Sequence, residues 1–153
     1  MPEQQPPSPR NAQQRKADTL EKLAREVDLW VASADPAGTG YLVPLSFYWD
    51  GAALLVATPR TSRTAQNLLR VRRARVAIGP TRDVAIIEGA VEELPRGADV
   101  AIEDAHASAT EFDPRALAED YVYLRIVPDS VQAWREADEL PGRRLMRDGK
   151  WLV

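Results

Sequence analysis

The sequence predicts a mainly β protein, a small antiparallel β-barrel with peripheral helices. Two observations carry this reading. Six or more short segments show the alternating or unbroken apolar pattern of strands, punctuated by Gly, Pro and Asp turns. Most of the connections are also too short for the crossover helices that a parallel sheet requires. At 153 residues and 44% hydrophobic, the chain is long enough for one domain with its own core.

Residues 1–10, with Pro2, Pro6, Pro7 and Pro9 and almost nothing apolar, read as a disordered tail. Residues 11–27 suit a helix, with Leu20, Leu23, Ala24 and Val27 at helical spacing. The remaining domain, 28–153, opens with a strand at Asp28–Ala34 that ends in an Asp35-to-Gly40 turn. In Tyr41–Trp49 the alternate residues Tyr41, Val43, Leu45, Phe47 and Trp49 form an apolar face, and Asp50-Gly51 predicts a two-residue hairpin turn. Pro44 requires an edge position or a bulge in that strand. The nearly unbroken apolar run Ala52–Thr58 predicts a strand buried on both faces.

A short helix follows at about Ser62–Val71, capped by Thr61 or Ser62 and burying Ala65, Leu68 and Leu69. Strands are expected at Arg75–Ile78 and Asp83–Glu93, then a helix at Ala98–Ala109 and a second helical turn at Pro114–Asp120. Tyr121–Val127 alternates again, Pro128 interrupts it, and Val131–Trp134 resumes as a strand. An Asp148-Gly149 turn precedes a last short strand. Trp30, Trp49, Trp134 and Trp151 are expected in the core or in a subunit interface.

Composition excludes several classes. Without cysteine there is no disulfide, no thiol nucleophile and no cysteine metal site. A net charge of −3 argues against a protein that coats nucleic acid. The longest apolar runs fall far short of the roughly 20 residues a membrane helix needs. The polar amino terminus lacks the apolar centre of a signal peptide, so a cytoplasmic location is expected. Charge is nevertheless segregated. Gly51–Arg82 contains seven arginines and no acid, whereas Asp83–Asp120 is acidic, with only Arg96 and Arg115 as strong bases. Such a basic segment serves either as a discrete anion site or as a solvated face paired with the acidic one.

Chemistry concentrates at the junction Thr58-Pro-Arg-Thr-Ser-Arg-Thr64. A helix N-terminus presents free N–H groups and the positive end of its dipole, and here hydroxyls and guanidinium groups surround it. Phosphate binding and plain helix capping both fit that pattern. Catalytic side chains are scarce. His106 is the sole histidine and is expected in a surface helix, either exposed or pairing within the helix. No nucleophile elbow, HExxH helix, Walker loop or dinucleotide fingerprint is present. Redox chemistry would therefore need an organic cofactor.

The order of the segments resembles the pyridoxamine 5′-phosphate oxidase-like superfamily. The resemblance runs through Asp28-Leu-Trp-Val-Ala-Ser-Ala-Asp-Pro, Tyr41-Leu-Val-Pro-Leu-Ser-Phe-Tyr-Trp-Asp-Gly51, Leu54-Leu-Val-Ala-Thr-Pro59, Thr64-Ala-Gln-Asn-Leu68, Val76-Ala-Ile-Gly79, Thr81-Arg-Asp-Val84 and Glu88-Gly-Ala-Val91. Val131-Gln-Ala-Trp-Arg135 and Met146-Arg-Asp-Gly-Lys-Trp151 look like its actinobacterial flavin/deazaflavin oxidoreductase branch. The resemblance implies a homodimeric split barrel of six to seven antiparallel strands that binds FMN, or a deazaflavin coenzyme, and acts on a small-molecule substrate. No nucleic-acid or membrane partner is expected. The strand holding Val43, Leu45, Ser46 and Phe47 would run along the flavin ring, largely through backbone groups. Thr58, Ser62, Arg63 and Thr64 would hold the phosphate, with Thr64 standing where the family has lysine and Arg60 placed to compensate. Asn67 matches a polar helix position. Trp134 and Arg144 (or Arg143 or Arg147) would reach the flavin from the partner subunit. A non-catalytic flavin- or haem-binding protein, or a dimer that has lost the site, also fits the resemblance. The family's pyridoxal phosphate-binding residues have no placed counterpart, so oxidation of pyridoxamine phosphate itself is not implied.

Overall fold

A computed structural model describes residues 8–153. The described residues form α1 (Ala12–Arg25), β1 (Asp28–Ala34), β2 (Gly40–Trp49), β3 (Leu54–Pro59), α2 (Arg63–Val71), β4 (Arg73–Ile78), β5 (Val84–Leu94), α3 (Val100–Thr110), β6 (Tyr121–Trp134), β7 (Arg144–Arg147) and β8 (Lys150–Trp151). Every pairing is antiparallel. The order is β3-β2-β1-β4-β5-β6, and β6 pairs back onto β3 to close a six-stranded barrel, from which β7 and β8 extend. Inward alternation fills the barrel with Val31, Phe47, Leu54, Val56, Val76, Ile87, Leu124 and Ile126.

Three local expectations are corrected. The Asp50-Gly51 turn is a four-residue loop, because Trp49 pairs with Leu54. The Asp50 carboxylate accepts from the amides of Ala52 (2.8 Å) and Ala53 (2.7 Å), which fixes the wider loop. Pro128 does not break its strand. β6 runs through it with a register shift, Gly89 opposite Pro128 and Glu88 opposite Ser130, so that Asp129 is the extra residue of a bulge. Gly89 is required there, since a Cβ would collide with the Val127 carbonyl and Pro128. Within Pro114–Asp120 only Pro114–Ala116 is helical, as a single 3-10 turn.

Pro44 occupies an edge. β2 pairs with β3 only at Phe47–Trp49, while Gly40–Ser46 pairs with β1 alone. Beyond Val56, β3 follows β6 instead as far as Pro59. The barrel wall is therefore open between the first half of β2 and the second half of β3.

Helix α1, capped by the Asn11 side chain on the Gln14 amide (2.8 Å), lies over the core and buries Leu23. Residues 1–7 of the expected tail lie outside the described residues. Arg10 is anchored: its guanidinium binds Glu139 (2.7 Å) and Asp18 (3.0 Å), and its amide donates to Glu139 (2.8 Å). Glu139, almost fully buried, also accepts from the Arg135 amide (2.8 Å). Buried Arg15 adds bonds to the carbonyls of Ala133 (3.2 Å) and Glu139 (2.9 Å). This network ties the amino terminus to the segment after β6.

The hydrogen bond from Arg10 holds the Glu139 carboxyl down at about 2, against the cost of its burial. A depressed carboxyl pKa contributes stability that is complete above the ordinary value near 4.5 and is lost as pH falls toward 2. That contribution is on the order of 3 kcal/mol. Urea unfolding across pH 2–6 is expected to show it, and Glu139→Gln is expected to be less stable at pH 6 with a flatter pH dependence between 4.5 and 2. Equal pH profiles for the two proteins would refute the assignment.

Candidate functional site

The open β2–β3 seam places a strand edge, a helix N-terminus and a buried histidine together. At its end, Thr58 hydrogen-bonds through its hydroxyl with that of Ser62 (3.1 Å). Ser62 is the N-cap of α2, its side chain accepting from the Ala65 amide (3.0 Å). The Arg63 and Thr64 amides belong to the first helical turn, which has no intrahelical acceptors. Thr64 is buried. Arg63 is exposed, lies 6.0 Å from the Tyr41 ring and forms no salt bridge among the described residues. This junction has the polarity of an anion site: free amides, two hydroxyls and one uncommitted guanidinium.

The other arginines of the acid-free segment are largely committed. Arg60, expected to compensate for Thr64, is bound to Glu93 (2.6 Å) and Asp120 (3.1 Å). Arg73 pairs with Asp129 (2.7 Å), Arg75 with Glu88, and Arg82 with Glu136 (2.8 Å). Arg70 donates to the Ala34 carbonyl (2.8 Å).

Beside Thr58 the seam opens into a cleft of about 210 Å³, lined by Pro44, Leu45 and Ser46 of β2, Ala57, Thr58 and Pro59 of β3, and His106, Phe112 and Tyr121. Leu45 and Ser46 thus meet Thr58 in one cavity. Ser46 also donates to Asp28 (2.6 Å). Val43 is half-buried against the core, and the Phe47 ring lies fully inside it. The Phe47 amide is taken by the Val27 carbonyl (2.8 Å). Asn67 is buried and donates to Ser33 (3.1 Å), fastening α2 to β1.

Trp134 and Arg144 are not near this cleft within one chain. Thr58 pairs with Val122 near the start of β6, whereas Trp134 ends that strand, roughly 40 Å further along an extended chain. Arg144 is paired with Gln132 and donates to Ser130 (2.7 Å). Arg143 binds Gln132 (3.0 Å) and the Leu140 carbonyl (3.0 Å), and Arg147 is exposed.

His106 corrects the sequence reading. It is 1% exposed, with its ring edge-on to Tyr123 at 5.7 Å. Helix α3 packs against β2, which turns this residue inward. Its Nδ1 is buried and has no hydrogen-bond partner, as is the Tyr123 hydroxyl. Sequence reasoning missed it because α3 carries almost no amphipathic pattern from which an inner face could be read. Among the described residues no group of His, Asp and Glu is arranged to hold a metal ion, and no helix is long and apolar enough to cross a membrane.

A second hollow, about 320 Å³, lies on the outer wall among Trp30, Pro44, Ala77, Gly79 and Pro80. Trp30 is 49% exposed and Leu42 63% exposed. The register sets Trp30 between Pro44 and Ala77, with Leu42 beside Ala32, which gives the wall an exposed apolar patch bordered by Glu26, Asp28 and the Arg75–Glu88 pair.

Comparison with known proteins places this geometry. The family model described as pyridoxamine 5′-phosphate oxidase matches residues 17–135. Among solved structures the chain is similar to an F420 reductase (18% identity, TM-score 0.61, covering 72% of this chain and 93% of that one). It is also similar to a FAD-binding protein from Mesorhizobium loti (20%, 0.62, 76% and 89%). A haem-binding protein from Mycobacterium smegmatis gives 16% identity and a TM-score of 0.72, with 92% of this chain and 59% of that one covered. No curated protein matches the sequence significantly.

Burial, reinforced by Arg115 and opposed by Asp113, pushes the His106 imidazole down to about 4. The unfolded chain, with an ordinary value near 6.5, takes up the proton first. The stability conferred by the neutral ring is therefore complete above about pH 6.5 and is lost as pH falls toward 4, on the order of 3 kcal/mol in all. A proton NMR titration of this single histidine is expected to show a neutral ring at pH 5.5. A midpoint near 6.5 would refute its burial.

Proposed function

The chain belongs to the pyridoxamine 5′-phosphate oxidase family, and from that premise we propose that it is an FMN-dependent oxidoreductase, passing a hydride between bound flavin and a small organic substrate. One observation carries this reading: the open β2–β3 seam joins an anion-ready helix N-terminus to a cleft with apolar walls. A phosphorylated ligand with a planar ring has those two parts. The buried, unpartnered Nδ1 of His106 at the cleft supports a ligand with polar edges.

The flavin, when bound, supplies the hydride chemistry, for which this chain has no side chain. The chain's own groups bind and orient. The Arg63 and Thr64 amides and the Ser62 and Thr58 hydroxyls face the phosphate, and Arg63 neutralises it. Leu45, Ala57 and Pro59 offer apolar surface to the ring and displace water from it. Thr64 brings a hydroxyl where the resemblance expects a lysine, so one cation is missing from the clamp and Arg60 is already committed. This weaker clamp is the feature that favours a dimer that has lost the site; a second enzyme reading, a deazaflavin-dependent reductase, rests on the branch resemblance of 131–135 and 146–151. The fold shared with an F420 reductase agrees with it.

We propose further that two copies complete the site. Trp134 and Arg144 lie far from the cleft of their own chain, and the apolar wall of Trp30, Leu42, Pro44 and Ala77 offers a surface to bury. Trp30→Glu is expected to shift sedimentation from dimer to monomer and to weaken flavin binding. A wild-type monomer at high concentration would overturn the paired site.

Arg63→Ala is expected to weaken FMN binding by about 1–3 kcal/mol, with stability little changed because the residue is exposed. Fluorescence-quenching titration measures the affinity and thermal melting the stability. Mass spectrometry of the ligand released from native protein separates FMN from deazaflavin. If the wild-type protein binds neither at micromolar concentration, both readings fail.

A further inference from the structure

We propose that His106 hydrogen-bonds the polar ring edge of the ligand in the β2–β3 cleft and so positions that ring. This rests on the flavin-type reading above and assigns a residue to it that lies outside the Thr58–Thr64 clamp.

Helix α3 turns two polar side chains inward, Glu103 and His106. Glu103 is satisfied, since both its oxygens lie 3.0 Å from the Gly97 amide. His106 is not: its Nδ1 is buried without a partner, although the ring is fully packed against Tyr123. A phenylalanine or leucine would fill the same space with no polar atom to satisfy, so packing alone does not account for an imidazole here. The imidazole also forms part of a cavity wall. His106 lines the same cleft as Thr58, and Thr58 is bonded to Ser62 at the α2 cap. A ligand whose phosphate rests on that cap and whose ring enters the cleft meets α3 on the far wall.

The chemistry agrees. A neutral imidazole has one donor and one acceptor nitrogen, and the pyrimidine edge of a flavin or deazaflavin alternates N–H and C=O groups. Either tautomer finds a complement there. Residues flanking His106 on α3, Ala105 and Ala107, are too small to compete for the ligand. Tyr123 packs edge-on against the ring at 5.7 Å, and its own hydroxyl is likewise buried without a partner.

Because His106 is the sole histidine, the test is clean. The full-length chain without an affinity tag, labelled with ¹⁵N-histidine, is titrated with FMN and separately with a deazaflavin coenzyme. Both imidazole nitrogen shifts are expected to move with the same saturation as the fluorescence signal. His106→Phe is expected to raise the FMN Kd about 10-fold and to alter the fine structure of the flavin absorption band. His106→Gln, which keeps a donor and an acceptor, is expected to stay within about 3-fold of wild type. Bound flavin with unmoved imidazole shifts, or an unchanged Kd in a folded His106→Phe, would overturn the role of His106 and leave the flavin reading intact. If the wild-type chain binds neither ligand, the flavin reading falls and this assignment with it. Should His106→Phe not fold, the wild-type shifts and His106→Gln decide.

Discussion

The incomplete pairing of β2 with β3 governs the rest of the structure. A closed six-stranded barrel ordinarily satisfies every strand on both sides. Here β3 pairs with β6 over its whole length but with β2 only as far as Val56, while the first half of β2 keeps only β1 as a neighbour. That break admits Pro44, which a paired central strand would reject. It also brings α3 against β2 as cover and leaves Thr58 and Pro59 at a strand end, where α2 starts. The cleft follows from a local failure of strand pairing inside an otherwise complete barrel.

Much of this was legible from one dimension. The strand at Asp28–Ala34 matches to the residue, because a change from helical to alternating pattern on one side and a Pro-Gly turn on the other delimit it. The capping hydroxyl of Ser62 is a local signal and sits as expected. What escaped was decided by distant partners. Pro128 reads as a strand breaker until Gly89, on a neighbouring strand, removes the side chain that would have obstructed it. His106 reads as exposed until the seam draws α3 inward. Arg60 looks free until Glu93 on β5 and Asp120 just before β6, remote in sequence, meet it. In each case the local pattern was sound and a non-local contact outweighed it.

The same contacts explain the charge segregation. An acid-free run of arginines followed by an acidic stretch looks like a large basic surface, yet the antiparallel barrel brings acids from that stretch and from beyond it onto the arginines. Arg75 meets Glu88 across β4 and β5, and Arg73 meets the bulged Asp129. Exposed pairs of this kind contribute little stability, roughly 0–1 kcal/mol each, but they neutralise the field around the barrel. Arg63, Arg70 and Arg72 have no acidic partner among the described residues, and of the three only Arg63 stands at the α2 N-terminus. Its distinction comes from combining that place with a free guanidinium, since the segment is rich in arginine throughout.

The two ends of the barrel are built by different physics. One is closed by α1 and by the Arg10–Glu139–Asp18 network, whose buried ion pair holds the turn after β6 in a single geometry. The other is open, with free amides and an unsatisfied imidazole. Trp134 and Arg144 stand on either side of the turn that Glu139 fixes, at the rigid end. In the two-fold pair proposed above, residues on the rigid end of one chain would complete the open end of the other without loosening either core. In such a pair the ion-pair network acts at a distance from its own chain's cleft, because the geometry it fixes is presented to the partner's.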